Sequence, residues 1–298
     1  MQLLIYVYAV AQSDCRNKLD DPTVVGLPPV SKKGLIQCDE YNHYVPCGRK
    51  GTVIAPAFLS LTSVAYTSSE EFLDSIKAKE PVYAPNQKST YSNVAFNLLG
   101  LALENVTGLP YSRYIERSIL EPLDMTSTSL EKPSDSVAVL PKGDNYWDIE
   151  AGVQRPTGGI YSSSKDLSRY LRYILTHYNA LTPALNWLHP ASYSDSTNSF
   201  FGMPWEIYRT SNMLPQTDRP VTFVTKSGGL PGYFSIIMIV PDYDLGVTIL
   251  VGGQDQLLSK LRKLVTIPLI EAVERMAFGQ MGVAYGGTYG KSCCPISH

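Results

Sequence analysis

Lys226-Ser227-Gly228-Gly229 closes the run Val221-Thr222-Phe223-Val224-Thr225, and two further apolar runs follow it. These are Tyr233-Phe234-Ser235-Ile236-Ile237-Met238-Ile239-Val240 and, beyond Pro241-Asp242-Tyr243-Asp244, Leu245-Gly246-Val247-Thr248-Ile249-Leu250-Val251. β-Branched residues dominate all three, and Pro-Asp-Tyr-Asp is turn chemistry, so the pattern predicts three successive antiparallel strands. Gly228 and Gly229 carry no side chain, so a carbonyl or carboxylate can approach the backbone N–H groups there. Lys226 and Ser227 add a positive charge and a hydroxyl donor at the same place. The first strand is therefore expected to be an edge strand whose open side receives a ligand. Taken alone, the same residues also fit a solvated edge protected from pairing by its lysine.

Working outward, helical spacing is clearest after Tyr91-Ser92-Asn93. Val94, Leu98, Leu101 and Ala102 share a face, and Gly108 supplies the stop. Pro110 opens a second helix through Tyr111, Tyr114, Ile115 and Ile119, ending near Glu121-Pro122. Gly158-Gly159-Ile160-Tyr161-Ser162-Ser163 is a glycine turn before a third helix, for which Ser163 and Asp166 form a capping box. A long amphipathic helix is expected over Gln256–Phe278, kinked at Pro268. Segments 12–60, 125–157 and 186–220 read as loop from their proline, glycine and polar content.

The chain has 298 residues with a net charge of −2, and 44% of them are hydrophobic, which describes a globular protein and excludes the basic patch of a nucleic-acid binder. No apolar run reaches the roughly 20 residues of a membrane span. His43, His177, His189 and His298 are scattered without metal-ligand spacing, so neither metal nor cofactor is expected. Cys38 and Cys47 flank a Tyr/Asn/Pro-rich loop and could bridge in a secreted protein, and Asn105-Val106-Thr107 is a glycosylation triplet. With the apolar stretch ending at Ala9-Val10-Ala11, these features lean toward secretion over a cytoplasmic location.

Three short signals stand in order: Tyr91-x-Asn93 at a helix start, Gly158-Gly159 before a helix, and Lys226-Ser227-Gly228-Gly229 on a strand. In that order they resemble the serine β-lactamase and penicillin-binding protein superfamily. The likeness is to the Tyr-x-Asn branch, which includes class C enzymes, esterases and D-alanyl-D-alanine peptidases. Glu121-Pro122-Leu123-Asp124-Met125 is similar to that branch's EPLGM stretch, with Asp124 where glycine is usual. The Cys-flanked loop at 38–47 and Gly202-Met203-Pro204-Trp205-Glu206 look like filamentous-fungal members.

The resemblance implies an α/β (α+β) transpeptidase-like fold, an antiparallel sheet flanked by helices with a helical subdomain. It also implies acyl transfer through a serine ester. Tyr91 would be general base or proton relay, its pKa lowered by nearby lysine. Lys226 would lower that pKa and attract a substrate carboxylate. Asn93 would orient a substrate amide or the catalytic lysine, Ser227 would help bind the carboxylate, and the strand beyond Gly228, at Gly229, would supply an oxyanion-hole N–H. The partner implied is a small molecule bearing a carbonyl or carboxylate.

The family's nucleophile motif, Ser-x-x-Lys, is not found before Tyr91. Ser129-Leu130-Glu131-Lys132 and Ser162-Ser163-Ser164-Lys165 match its spacing but lie downstream, which leaves Ser129 and Ser162 as the candidates for a recruited nucleophile. The expected organisation is an incomplete β-lactamase-related domain over 1–280, lacking the N-terminal part of its sheet. Its helical part spans about 60–200, and the sheet with its C-terminal helix about 201–280. Val283–Tyr289 would open a truncated β-rich segment over 281–298. Such a chain acts on an ester, lactone or amide of a small molecule, or is a non-catalytic binding remnant using the same cleft. An unpaired sheet edge would favour self-association.

Overall fold

The three apolar runs form three consecutive antiparallel strands, β6 (Val221–Leu230), β7 (Tyr233–Val240) and β8 (Leu245–Gly252). The computed structural model describes the backbone of Gln2–Ile5 and residues 68–77, 89, 91–143, 145–181, 187–194, 196–214 and 216–287. Cys38, Cys47 and the expected loop over 12–60 lie outside the described residues.

Each turn follows from its residues. Between β6 and β7, Pro231 presets its own φ and Gly232 adopts φ 83°, where a Cβ would also come within 2.6 Å of Asn145 Cβ. Between β7 and β8, Pro241–Tyr243 makes a 3₁₀ turn that ends on Asp244 in the left-handed region at φ 51°.

Three short strands extend this sheet: β3 (Ser192–Tyr193), β4 (Ser199–Phe201) and β5 (Glu206–Thr210). The order is β3-β4-β5-β6-β7-β8, with every neighbouring pair antiparallel. The expectation of loop over 186–220 is therefore corrected. Strands of two, three and five residues are too short to show a period, and Gly202-Met203-Pro204 interrupts them. The edge-strand expectation is corrected in part. β5 pairs with Val221 through Thr225, and only from Lys226 onward does that side of β6 lack a partner strand among the described residues.

Six helices surround the sheet among the described residues. The first two are α1 (Ser69–Lys77) and α2 (Asn93–Thr107), the latter capped by Ser92 Oγ on the Ala95 N–H and stopped by Gly108 at φ 67°. Next, α3 (Tyr111–Ile115) widens into a π turn over Glu116–Leu120, which brings Leu120 into a cluster with Met125 and Leu130. A single turn, α4 (Arg155–Gly158), precedes β2 (Ile160–Ser163), to which the backbone of β1 (Gln2–Ile5) is antiparallel. Then come α5 (Ser164–Leu181) and α6 (Asp255–Tyr285), which contains Pro268. Val283 to Tyr285 belong to the last turn of α6 and do not open a strand.

The sheet is covered on both faces, which is why β7 reads as an almost unbroken apolar run. Leu167, Leu171 and Ile174 of α5 pack with Trp147 and Tyr161 against Val224, Ile237 and Ile239. Leu258, Leu261 and Leu269 of α6 cover Ile236, Met238 and Ile249 on the other face. Ser163 accepts from the Asp166 N–H at 3.2 Å, half of the expected capping box. The fully buried Asp166 carboxylate turns elsewhere, accepting from the Ser127 N–H at 2.7 Å and the Thr128 hydroxyl at 2.8 Å. Asp124, in glycine's place, adopts φ 52°, where its carboxylate is held 2.8 Å from Arg169.

Two glycine-to-alanine changes are expected to differ in sign. At Gly100 a Cβ would meet Pro156 Cγ at 2.2 Å, so Gly100→Ala should cost about 1–3 kcal/mol in urea unfolding. Gly279 in α6 faces open space, so Gly279→Ala should gain about 0.4–1 kcal/mol. Alkali provides a second test. Burial first of all pushes the phenols of Tyr111, Tyr233 and Tyr243 up to about 12. Because the fold raises these values, their contribution to stability is complete below about pH 10 and is lost as pH rises from there through 12. Near-ultraviolet titration should show these phenols ionising only as the fold gives way. Free titration in the folded chain near pH 10 would refute this.

Candidate active site

β6 carries Lys226 inward. Side chains alternate along a strand, so Lys226 and Gly228 share the face of Val224, the face packed against α5. Lys226 is consequently buried, and desolvation pulls its pKa down while the charge and hydrogen bond of Glu206 oppose that pull. Tyr91 precedes the Ser92 cap of α2, and Lys226 Nζ lies 4.9 Å from the centroid of its ring. The fold thus brings together the two residues expected to carry the chemistry.

Glu206 completes this contact. It is the first residue of β5, paired with Thr225, and its side chain reaches past the point where β5 and β6 stop pairing. One carboxylate oxygen forms an ion pair with Lys226 Nζ. The other accepts from the Ser227 hydroxyl at 2.8 Å and from the Ser227 N–H at 3.2 Å. The Ser227 N–H therefore points out of the open edge. Strand alternation sends the Gly229 N–H to the same side, about 7 Å farther along, with Gly228 between them.

The direction of the Tyr91 pKa differs from the expectation. Burial above all, and then the negative charge of Glu206, hold the phenol well above the ordinary tyrosine value. Tyr91 is a protonated hydroxyl at neutral pH.

Asn93, the first residue of α2, accepts the Thr157 hydroxyl on its backbone carbonyl at 2.8 Å, and the same hydroxyl also bonds the Asn97 side chain. This ties the Gly158-Gly159 turn to the start of α2. At Gly159 a Cβ would meet Arg155 Cα at 2.8 Å, so the turn needs glycine for close approach. The side-chain oxygen of Asn93 is buried and has no hydrogen-bond partner among the described residues.

The two serine candidates have other employment. Ser162 is fully buried on β2, its hydroxyl 2.8 Å from that of Thr128, which itself donates to Asp166. It braces the loop beneath α5. Ser129 pairs its backbone with Tyr161, and its hydroxyl accepts from the Glu131 N–H at 2.9 Å. Asn105 is exposed in the last turn of α2. Among the described residues no group of histidine, cysteine and carboxylate side chains is placed to hold a metal ion, and no helix is long and apolar enough to cross a membrane.

Glu206 is the residue that sequence reasoning missed. The available signal was a lone carboxylate ending the aromatic patch Phe200–Trp205, but its partner on β6 could be named only once β5 was known to exist.

A family model described as Beta-lactamase matches residues 25–264. Probable hydrolase M10 of Phoma sp. is 31% identical over 290 residues, covering 96% of this chain and 44% of that protein. Probable hydrolase clz13 of Cochliobolus lunatus is 37% identical over 222 residues, 74% of this chain and 36% of the relative. A beta-lactamase-like protein of Arthroderma benhamiae is 33% identical over 270 residues, 89% of this chain and 42% of the relative. The chain thus spans less than half the length of these curated relatives. Among solved structures, a beta-lactamase/D-alanine carboxypeptidase from Yersinia pestis superposes with a TM-score of 0.52 at 21% identity, over 64% of this chain and 57% of that one. A D-amino acid amidase from Ochrobactrum anthropi does so with 0.51 at 18%, over 65% and 58%. These likenesses show the fold, a transpeptidase-like antiparallel sheet between helices. By the extent of the family match and by its fungal relatives, this chain belongs to the β-lactamase family.

Proposed function

We propose that this chain forms the carbonyl-binding half of a β-lactamase-type hydrolase site for an ester, lactone or amide of a small molecule. We further propose that residues 1–298 by themselves hold such a ligand without forming an acyl-serine intermediate. The observation that carries the reading is the buried Lys226 ammonium against the Tyr91 ring, at the point where the edge of β6 opens.

Each group has a role that follows from its state. The Tyr91 hydroxyl, held protonated, donates a hydrogen bond to a ligand oxygen. The buried side-chain oxygen of Asn93 accepts from a ligand amide N–H. The Gly229 N–H on the open edge donates to the carbonyl oxygen, the arrangement that stabilises negative charge when a carbonyl is attacked. Attack itself needs a serine beside Tyr91. No Ser-x-x-Lys precedes Tyr91 in the sequence, and the hydroxyls of Ser129 and Ser162 are engaged in holding loops.

Two measurements test this. Intact-mass spectrometry of the folded chain after incubation with a fluorophosphonate, and separately with a penicillin, should show no adduct. A single adduct mapped to any serine would overturn the non-covalent part of the reading. Calorimetric titration with the methyl ester of benzylpenicillin, a neutral β-lactam, should show binding that Tyr91→Phe weakens about three- to ten-fold, the worth of one hydrogen bond. Equal affinity in the two proteins would remove Tyr91 from the site.

A further inference from the structure

The geometry points to Glu206 as a specificity-determining residue. Its carboxylate fills the position on Lys226 and Ser227 where a ligand's own carboxylate would dock, so the cleft takes uncharged acyl compounds and rejects those carrying a carboxylate beside the reacting carbonyl. This rests on the reading of the Tyr91–Lys226 cleft as the ligand site and adds to it the class of ligand.

Three donors define the anion position: Lys226 Nζ, the Ser227 hydroxyl and the Ser227 N–H. All three bond to one carboxylate, and that carboxylate belongs to the chain. Nor is Glu206 a loosely held side chain that a ligand could brush aside. Its backbone is paired on both sides, with Phe201 and with Thr225, and its carbonyl accepts the Thr225 hydroxyl at 2.7 Å. The preceding residue, Trp205, is buried, with its ring 5.3 Å from that of Trp187. The root of the side chain is therefore fixed, and its reach is set by the end of β5.

The charges decide the consequence. Lys226 and Glu206 sum to zero, so among the described residues this pair leaves no net positive charge at this end of β6 to attract an anion. A second carboxylate arriving here would meet the first at a few ångströms beside the buried Lys226, where like charges repel strongly. A neutral ester or lactone meets no such penalty, and beyond Thr225 no strand among the described residues pairs with this side of β6. A purely structural role for Glu206, as counter-ion of a buried lysine, would affect stability but leave the choice between charged and neutral ligands unchanged. The two roles can thus be separated.

The experiment uses two ligands that differ by one charge, benzylpenicillin and its methyl ester, titrated calorimetrically into the chain and into Glu206→Gln. The chain is expected to bind the ester at least about ten-fold tighter than the acid. Glu206→Gln should lose or invert that preference, because the acid can then take Lys226 and Ser227. Should the glutamine variant melt below the assay temperature, Glu206→Asp, which withdraws the carboxylate by one methylene, should shift the ratio in the same direction. A bound ester with the same ester-to-acid ratio in chain and variant overturns the role of Glu206 and leaves the cleft standing. Absence of binding of either ligand to either protein defeats the cleft itself, and the proposal with it.

Discussion

A lysine on the inward face of a sheet is a costly residue, and the ion pair between Lys226 and Glu206 is the constraint on which the site depends. An unpaired ammonium there would carry a desolvation penalty of several kcal/mol, and removing one partner of such a pair typically costs about 3–5 kcal/mol. The structure meets the requirement with a carboxylate from the neighbouring strand, whose remaining lone pairs are taken by Ser227. That solution sets the register of β5 against β6, since Glu206 must stand at the last paired position to reach around it. Near this ion pair, burial and then the charge of Glu206 hold the Tyr91 phenol above its ordinary pKa.

Polar bolts of the same kind hold the rest of the site. The Thr157 hydroxyl joins the glycine turn to the carbonyl of Asn93 and to Asn97, so the first and second of the sequence signals are tied together. Asp166 gathers the Ser127 N–H and the Thr128 hydroxyl beneath α5 and lies near Arg169, which also holds Asp124 in its left-handed conformation. The Thr157 and Asp166 bolts are buried, where a satisfied hydrogen-bond network is rigid and a half-satisfied one is expensive. The side-chain oxygen of Asn93 and one carboxylate oxygen of Asp166 are among the buried atoms without a hydrogen-bond partner among the described residues.

Much of this was legible in the residues. Strands β6 to β8 announce themselves because burial on both faces demands continuous β-branched runs, and their turns because Pro, Gly and Asp can adopt the required φ. The helices after Tyr91 and Ser163 follow from capping residues and helical spacing, and the Tyr91 and Lys226 motifs follow from the order of three short signals. The strands β3 to β5 were not legible. They are too short to display a period, and their pairing energy comes from β6, a partner distant in sequence.

The chain's sequence by itself determined the strands β6 to β8, the longer helices, where these turn, and which polar residues stand at the start of α2 and the end of β6. These are local matters of φ preference, side-chain period and capping. Only the tertiary structure decided that Lys226 is paired with Glu206, that burial holds the Tyr91 phenol above its ordinary pKa, and that Ser162 is buried against the Thr128 hydroxyl. Charge state and accessibility depend on which groups lie within a few ångströms in a low-dielectric interior, and that distance is set by the packing of β5 on β6 and of α5 on the sheet.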